Sequence, residues 1–508
     1  MPTETPAPKR AARERFAGRL RPGSDGLRQR TARGTILNGG YLVGLDTLGF
    51  LKGIIVAGLV SVADFGVWGT LAVALATLNW LKNAGVGGKY VQQDEERQDL
   101  AFQKAFTVEV IATAGLVVLL LGLIPLVTFI YGQDEILLPG LVLAVMLPAT
   151  ALTAPTWIFY RRMEFAKQRA LQGIDPIVGF VVTIGLAAAG LGYWALVLGL
   201  LAGAWASAIA AVIACPYPFA LRLDKTSARE YFRFSWPLVL ASLSAMVMAQ
   251  GSIIVGEAEL GLAGVGAITL ASRVSLYADR VDMIVTETIY PAICAVQERT
   301  DLLYETFVKS NRMGLMWGVP IGVGLTLYAD DLVHLGIGDK WEPAVILLQT
   351  FGLTAAVGHL GFNWHAFYRA RGQTRPIAIV SAGMMIAFLA APVPLLIAEG
   401  LSGYAVGMAI VTAVSLLLRT FFILRLFPGF RVVRYAVRAI APTIPATAAV
   451  LGVRLLSGAE RSLGIALAEL GLYVAVTVAA TWLFERALLR EVLAYVRRGP
   501  TPQAGVAS

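Results

Sequence analysis

Runs of about 20 apolar residues, separated by short polar segments, recur along almost the whole chain. Such a run is long enough to cross about 30 Å of hydrocarbon as a helix. Strands of a membrane barrel would instead show short segments in which apolar and polar residues alternate, and these runs do not. The pattern therefore predicts an all-α protein that crosses a membrane many times.

The breaks between the apolar runs divide the chain into fourteen predicted spans. Their approximate limits are 35–60, 66–86, 105–130, 137–159, 174–191, 194–214, 234–255, 263–290, 313–330, 343–367, 377–397, 402–424, 439–456 and 463–484. Composition supports the class, because 57% of the residues are hydrophobic and 15% are charged. In a soluble domain, about 45–50% of the residues are apolar and about 25% are charged.

The basic residues predict the orientation of these spans. With the N-terminus inside, the predicted cytoplasmic segments contain 34 of the 42 Lys and Arg residues, and the outside turns contain Lys340 and Arg461. Short loops that carry positive charge stay on the cytoplasmic side, because moving that charge across the membrane is costly. Both termini are therefore predicted to be cytoplasmic, and the basic run from Arg161 to Arg169 is interpreted as a cytoplasmic loop that sets topology.

The predicted organisation is two six-helix lobes around a central cavity, with two added C-terminal helices. A weak sequence similarity between "ADFGVWGTLAVA" and "GLAGVGAITLAS" agrees with a duplication of the lobes but does not establish it. The predicted boundaries are 1–34 for a disordered basic tail, 35–215 for the first lobe, 216–233 for a cytoplasmic loop, 234–424 for the second lobe, 425–488 for the added helices and 489–508 for a cytoplasmic tail.

Charged residues inside the predicted spans are the candidates for function. A charge at the centre of a span costs about 2.5–3.5 kcal/mol on insertion scales, so it usually faces a cavity or a partner. These residues are Lys52, Lys82, Arg273, Arg280, Arg419, Asp46, Glu109, Asp279, Asp282 and Glu287. In the first span, Asn38 and Lys52 share a helical face with Asp46 at its edge, and Asn79 and Lys82 end the second span.

The eighth predicted span is polar on two faces. Arg273, Tyr277, Arg280 and Glu287 form one stripe, and the opposite face carries Ser272, Ser275, Asp279, Asp282 and Thr286. A helix of this kind cannot face lipid on either side, so we expect it inside the bundle. Two interpretations stay open: the charges pair and lock the helices together, or they line a hydrated, cationic cavity suited to phosphate or acidic sugar.

Several kinds of chemistry are not supported by the sequence. "AGVGGKY" lacks the spacing of a phosphate-binding loop, so its glycines are interpreted as helix-packing positions. Cys215, Cys294 and the three histidines show no metal-site spacing, and no metal or other cofactor is predicted. The predicted outside loops are too short to hold an acceptor chain, which argues against an enzyme. The net charge of +9 is explained by topology rather than by nucleic acid.

The stretch "RRMEFAKQRALQGIDPIVGFVVTIGLAAAGLGYWALVLGLLAG" at 161–203 resembles bacterial polysaccharide transporters. These are the Wzx-type oligosaccharide flippases, and the resemblance is to the branch like the colanic-acid exporters, within the multidrug/oligosaccharidyl-lipid/polysaccharide exporter superfamily. Similar matches are "NAGVGGKYVQQ", "VGAITLASRV", "YPAICAVQ" and "LGIGDKWEPAVILLQ", so the resemblance extends from about residue 35 to 425. Gln250 replaces an acidic residue common in the family, which argues against ion coupling at that position.

The resemblance implies a flippase that moves an undecaprenyl-diphosphate-linked oligosaccharide across the bacterial cytoplasmic membrane by alternating access, for exopolysaccharide or lipopolysaccharide. Its implied partners are this substrate, membrane lipids, a polysaccharide polymerase and glycosyltransferases, with H⁺ or Na⁺ as the coupling ion if there is one. The predicted cavity residues are Asn38, Asp46, Lys52, Asn79, Lys82, Arg273, Tyr277, Arg280 and Glu287. A lipid II flippase, a multidrug exporter of the same superfamily and a non-transporting membrane scaffold remain alternatives.

Overall fold

The computed structural model describes residues 24–61, 64, 68, 85–131, 137–457 and 461–497, and the regular elements in these ranges are all helices. The chain divides into two units, Met1–Ser242 and Leu243–Ser508. The division lies within a single long helix rather than in a loop. The lobe boundaries drawn from the sequence stay predictions.

The helices of the first unit follow the apolar runs of its sequence. They are α1 (Ser24–Leu59), α2 (Val86–Gln92), α3 (Gln98–Tyr131), α4 (Leu137–Ala144), α5 (Met146–Leu152), α6 (Thr156–Arg161), α7 (Phe165–Ala188) and α8 (Tyr193–Ala214). Helix α1 begins before the predicted limit, so residues 24–34 are helical although the sequence analysis placed them in a disordered tail. Its polar start continues the helix of the first predicted span without a break.

Close packing of α7 and α8 depends on small residues along their contact. A Cβ added at Gly179 would lie 3.2 Å from the carbonyl oxygen of Gly199. The two helices are joined by a tight turn in which Gly190 and Gly192 have φ angles of 83° and 55°. Glycine adopts this left-handed region readily because it has no Cβ, so the break between the predicted spans 174–191 and 194–214 is a true turn.

The glycines of "AGVGGKY" are packing positions, as the sequence analysis predicts. A Cβ added at Gly87, in the first turn of α2, would lie 2.7 Å from the indole nitrogen of Trp157. Gly85 precedes α2 with a φ of 77°. The short helix therefore lies directly against the aromatic ring of α6.

The second unit contains most of α9 and all the helices that follow it. They are α9 (Lys225–Ala295), α10 (Thr300–Asp331), α11 (Val345–Gly358), α12 (Trp364–Ala370), α13 (Arg375–Ala390), α14 (Pro392–Leu426), α15 (Val432–Ile440), α16 (Ile444–Ser457) and α17 (Leu463–Arg497), with a π-helical turn at Leu332–Ile337 and a 3₁₀ turn at Asp339–Ala344. Helix α9 starts at Lys225, inside the segment predicted as a loop. Helices α9 and α14 each contain a sharp turn, at Gly261 and Gly400, where φ is 66° and 68°.

Seven helical stretches in the described ranges are long and apolar enough to cross a membrane. They are Gln98–Gly122, Leu137–Arg161, Phe165–Ala188, Tyr193–Ala214, Lys225–Gly261, Pro392–Leu426 and Leu463–Arg486, and shorter apolar helices cover Ala263–Leu276, Arg375–Ala390 and Ile444–Leu456. The predicted spans outside residues 62–84 correspond to described helices, and turns interrupt several of them, as at 153–155 and 359–363. The prediction of an all-α, multi-pass membrane protein is confirmed, and the fourteen predicted spans are consistent with this arrangement.

Ion pairs connect the C-terminal helices α16 and α17 to the end of α10 at Asp331. Asp331 accepts hydrogen bonds from Arg461 Nε at 2.7 Å and from Arg454 Nη2 at 3.1 Å. The same arginines donate to Glu469, at 2.9 and 3.0 Å. Because both carboxylates are buried, removing their arginine partners would leave uncompensated buried charges, so breaking this network would destabilise the contact of α16 and α17 with α10.

Candidate functional site

Asp279 and Asp282 of α9 are three residues apart, so they lie on one face of the helix. The Asp282 side chain is 14% exposed and the Asp279 side chain is 58% exposed. The sequence analysis placed both residues on the face opposite to the arginine stripe. The structure packs this acidic face against other helices of the second unit.

His359, directly after α11, meets this acidic face. Its Nε2 atom lies 3.2 Å from Asp282 Oδ2 and 3.7 Å from Asp279 Oδ1, and the side chain is 1% exposed. Its Nδ1 atom lies 2.5 Å from the carbonyl oxygen of Ala355. A carbonyl can only accept a hydrogen bond, so Nδ1 carries a proton. In a neutral imidazole, Nε2 would then present a lone pair to two carboxylates, which is unfavourable unless a proton or another cation lies between them.

Two glycines of α10 make room for this contact. A Cβ added at Gly314 would lie 2.9 Å from Asp282 Oδ1, and one added at Gly318 would overlap the His359 ring. The glycines are four residues apart and therefore lie on one face of α10. Close approach of α10 is thus part of the geometry that holds Asp282 against His359.

Arg419 of α14 adds a positive charge to the same region. It is 7% exposed, and its Nε atom is buried without a hydrogen-bond partner in the described part of the chain. Asp282 and Asp279 both attract it electrostatically. One carboxylate oxygen of Asp282 is likewise buried without a partner there. The cluster therefore combines strong attraction with incomplete hydrogen bonding.

The charges of this cluster define what it can bind. Ligand atoms of Asp279, Asp282 and His359 all lie within 4.8 Å of one another, a spacing that can hold a cation. With His359 neutral, two carboxylates and Arg419 leave one net negative charge. One proton or one monovalent cation would neutralise it, whereas a divalent ion would leave an excess positive charge beside a buried guanidinium. We call Asp279, Asp282, His359 and Arg419 the acidic cluster.

A second buried network lies on α10 and α12. Asn311 Nδ2 donates to Asn363 Oδ1 at 2.6 Å, and Asn363 Nδ2 donates to Ser310 Oγ at 2.8 Å. His359 and Asn363 share a face of the tenth predicted span, and this spacing predicts an interhelical hydrogen-bonding pair rather than a proton relay. Both do contact other helices, although their partners differ.

In the first unit, the predicted residues of α1 face α7. Asn38 is fully buried, and its amide oxygen accepts a hydrogen bond from Arg169 Nε at 2.8 Å. Lys52 is half-buried and interacts electrostatically with Asp175. Asp46 is exposed. The structure therefore brings Asn38 and Lys52 to one helix pair and places Asp46 on an exposed part of α1.

The other predicted residues are distributed differently. Asn79 and Lys82 lie outside the described residues, as does the side chain of Tyr277, whose backbone belongs to α9. Arg273 is exposed, while Arg280 and Glu287 are half-buried. The set named for the cavity thus remains a prediction.

Two basic residues interpreted as topology markers have structural contacts. Arg161 is 6% exposed and donates to the backbone carbonyls of Tyr90 and Val91, at 2.8 and 2.6 Å. Arg169 lies in α7 and contacts Asn38. The non-helical part of this loop is confined to 162–164.

The predicted site omitted the acidic cluster, although each of its charged residues was noted as unusual for a span. Asp279 and Asp282 carried a signal, because they interrupt an apolar helix at helical spacing. His359 and Arg419 lie far away in the chain, so no local pattern connects them to this helix. Their association is a property of the packed bundle.

The fold is shared with transporters of known structure. The chain resembles a MATE transporter crystallised in complex with MaD5, with 15% identity and a TM-score of 0.66 over 80% of this chain and 97% of that one. It also resembles a MOP superfamily transporter from Pyrococcus furiosus, with 14% identity and a TM-score of 0.64 over 79% of this chain and 98% of that one. The chain thus has the fold of the MATE transporters.

The family follows from the sequence match. A family model described as "Polysaccharide biosynthesis protein" matches residues 55–346, more than half of the chain, and the chain belongs to this family. It is 22% identical to an uncharacterized membrane protein in the cps region of Klebsiella pneumoniae, over 76% of this chain and 81% of that protein. It is 24% identical to the succinoglycan biosynthesis transport protein ExoT of Rhizobium meliloti, over 61% and 63%, and 22% identical to the lipopolysaccharide biosynthesis protein WzxC of Escherichia coli, over 66% and 69%.

Proposed function

We propose that the protein is a flippase that moves an undecaprenyl-diphosphate-linked oligosaccharide from the inner to the outer leaflet of the bacterial cytoplasmic membrane. The product would be used to build exopolysaccharide or lipopolysaccharide, with a polymerase and glycosyltransferases as functional partners. The observation that carries the proposal is the combination of a polysaccharide biosynthesis family with a transporter fold. Relatives named for succinoglycan transport and lipopolysaccharide biosynthesis support the same substrate class.

The substrate has an anionic diphosphate, polar sugars and a long apolar tail. In this proposal Lys52, Arg273 and Arg280 bind the diphosphate, because arginine matches phosphate with two parallel hydrogen bonds and lysine adds a point charge. The sugars bind to polar groups such as Asn38 and Glu287, and the tail stays in lipid. The two predicted lobes alternate between openings toward the two sides of the membrane.

The acidic cluster supplies the coupling site in this proposal. With a proton or a monovalent cation bound, Asp282 and His359 are held together at the contact between α9 and the end of α11. Without it, the lone pair of Nε2 repels both carboxylates and favours separation of these helices. Cation binding would therefore favour one of two arrangements of the lobe, which is what coupling requires.

The headgroup assignment is tested by reversing two charges of α9. The double variant Arg273→Glu, Arg280→Glu should lower surface polysaccharide at least about tenfold, because both phosphate-binding charges change sign. The matched control is Arg273→Lys, Arg280→Lys, which keeps both charges. Each variant replaces the chromosomal gene in the native strain, and membrane abundance is measured by immunoblot.

Accumulation of the lipid-linked repeat unit in the cytoplasmic leaflet should accompany the loss. Normal surface polysaccharide in the charge-reversed strain would contradict the headgroup assignment. Unchanged polysaccharide together with impaired peptidoglycan synthesis would instead indicate a lipid II flippase, and increased drug sensitivity alone would indicate a multidrug exporter. Tolerance of every buried-charge substitution would favour a membrane scaffold.

A further inference from the structure

A small pocket lies where α10, α15 and α17 meet in the second unit, and its lining residues are different from those of the acidic cluster. The space between its side chains, counted together with the open solvent at its mouth, is about 270 Å³. The polar residues that line it are Arg312, Tyr435, Arg438 and Glu485, and the apolar ones are Leu315, Met316, Ala439 and Pro442. The sequence predicts that the segments carrying Arg312 and Arg438 are cytoplasmic, so this pocket belongs to the end of the helices that faces the inner leaflet.

The pocket has more positive than negative charge. Glu485 is 3% exposed and pairs directly with Arg312, while Arg438 Nε lies 3.7 Å from Glu485 Oε1. Among the lining residues, the Glu485 carboxylate therefore pairs with two guanidinium groups, and one net positive charge remains. Arg438 is also 57% exposed, which keeps it accessible to a ligand at the membrane surface.

Two hydrogen-bond donors of the pocket lack acceptors. The hydroxyl of Tyr435 and the Nε atom of Arg312 are both buried without a hydrogen-bond partner in the described part of the chain. A buried donor that is left unsatisfied costs about 1–3 kcal/mol, so such groups usually meet a ligand or water. Two such donors beside an excess positive charge call for an oxyanion with several acceptor oxygens.

The apolar side of the pocket indicates what is attached to that oxyanion. Leu315 and Met316 of α10 and Pro442 after α15 contribute carbon surface next to the arginines. A free inorganic anion would gain nothing from this surface, whereas the glycerol and acyl carbons of a lipid would be removed from water there. Anionic lipids of the cytoplasmic leaflet also concentrate near basic segments.

We propose that this pocket binds the phosphate group of an anionic phospholipid of the inner leaflet. The phosphate oxygens accept hydrogen bonds from Tyr435, Arg312 and Arg438, and the lipid carbons lie on the apolar wall. The bound lipid joins α15 and α17 to α10 at the end opposite to the Asp331 network. This role concerns the added C-terminal helices and does not depend on which substrate the protein transports.

The test is lipid binding to the purified, delipidated full-length protein, measured by native mass spectrometry. Phosphatidylglycerol should occupy one saturable site with at least about fivefold lower Kd than zwitterionic phosphatidylcholine. Tyr435→Phe removes one hydroxyl without changing shape and should raise the Kd for phosphatidylglycerol about three- to tenfold. Arg438→Gln, which removes a charge, should raise it about tenfold or more.

The matched control is Arg431→Gln, because Arg431 is an exposed arginine that precedes α15 and is not among the pocket residues. Its Kd should stay within about twofold of the wild type. Equal binding of the two lipids, or an unchanged Kd in both pocket variants, would overturn the proposal. Displacement of phosphatidylglycerol by millimolar inorganic phosphate would assign the site to a free anion, and preferential displacement by polyprenyl phosphate would assign it to the transport substrate.

Discussion

The two units each contain a buried polar cluster, and the clusters differ in how their hydrogen bonds are satisfied. In the first unit, Arg169 donates to Asn38 at 2.8 Å and to Gln172 at 2.7 Å, and it lies over the ring of Tyr41. In the second unit, His359 directs one ring nitrogen at two carboxylates. A complete network holds two helices together, whereas an incomplete one changes with the binding of a proton or cation.

Whether the hydrogen bonds of a cluster are complete distinguishes charges that hold helices together from charges that bind a ligand. The position of a charge within a span distinguishes them less clearly. The first cluster contains Asn38, a predicted cavity residue, and the second contains Asp279, Asp282 and Arg419, which are charged residues inside predicted spans. The Arg169 network joins α1 to α7 through a neutral amide, so no titration is needed to stabilise it. In the acidic cluster, the favourable arrangement requires an added positive charge, which makes it the better candidate for coupling.

The largest effect is expected from neutralising Asp282. Asp282→Asn keeps the shape of the side chain but removes one of the two negative charges that His359 faces, so Asp279 and Arg419 balance without a cation. We expect the transport rate to fall at least tenfold, about 1.4 kcal/mol in activation free energy, and the dependence of transport on pH or Na⁺ to be lost. Transport into vesicles with an imposed proton or sodium gradient measures both effects.

A matched control for this variant is Asp301→Asn, at an exposed carboxylate in the first turn of α10. It should leave transport and its ion dependence unchanged, because a surface ion pair contributes about 0–1 kcal/mol. Wild-type ion dependence in the Asp282→Asn protein would show that the acidic cluster has no part in coupling.

A smaller effect is expected from placing an extra methyl group at the close contact between α10 and His359. Gly318→Ala places a methyl group against the imidazole, so we expect the free energy of unfolding to fall by about 1–3 kcal/mol. Gly185→Ala in α7 is the control, because a Cβ there has no neighbour within 4 Å. Thermal unfolding in detergent measures the Tm of both variants. Equal Tm values would mean that α10 can move away from His359 without loss of stability.

Removing the complete network of the first unit should affect stability alone. Arg169→Gln deprives the buried amide oxygen of Asn38 of its guanidinium donor, which we expect to cost about 1–2 kcal/mol in the free energy of unfolding. The pH or Na⁺ dependence of transport should remain that of the wild type. A changed ion dependence in this variant would remove the distinction between the two clusters.

The smallest effect concerns an exposed histidine outside the spans. His334 Nδ1 lies 2.8 Å from Asp339 Oδ1, and Nε2 lies 2.6 Å from Glu342 Oε2. The hydrogen bond with Asp339 raises the pKa of His334 above its ordinary value, and Glu342 and Asp330 add to this. Its contribution to stability is therefore fully present below about pH 6.5 and is lost as the pH rises through the raised pKa.

The measurement for His334 is Tm at several pH values between about pH 6 and pH 9. The wild type should lose slightly more Tm across this interval than His334→Gln, which cannot titrate. The difference should shrink at high salt, because the side chain is exposed and its ion pairs are screened. Parallel pH curves for the two proteins would show that these contacts do not stabilise the turn.

Much of the fold could be predicted because its signals are local. Outside residues 62–84 the apolar runs correspond to described helices, and glycines mark turns where the chain reverses, as at Gly192 and Gly400. The resemblance found in 161–203 agrees with the family match over 55–346. The limits of the prediction lay at helix ends, since α1 and α9 start earlier than the apolar pattern alone indicates.

The residues that meet at the candidate site are harder to predict from the sequence. The basic run that includes Arg161 was interpreted as a topology marker, yet this side chain caps the carbonyls of Tyr90 and Val91. A basic residue at a helix end can point to water or back into the bundle, and its neighbours in sequence do not distinguish these cases. The choice of the arginine face of α9 had the same weakness, because the opposite face contacts His359.

The sequence by itself determined the class of protein, the approximate spans and the family, because hydrophobic length, charge distribution and motif order are all written along the chain. Tertiary structure alone decided which buried charges meet. Asp282 and Arg419 come from α9 and α14, His359 directly follows α11, and the small residues of α10 decide how closely Asp282 and His359 approach. The energies of buried polar groups depend on such distances, and a distance between helices is set by packing rather than by local sequence.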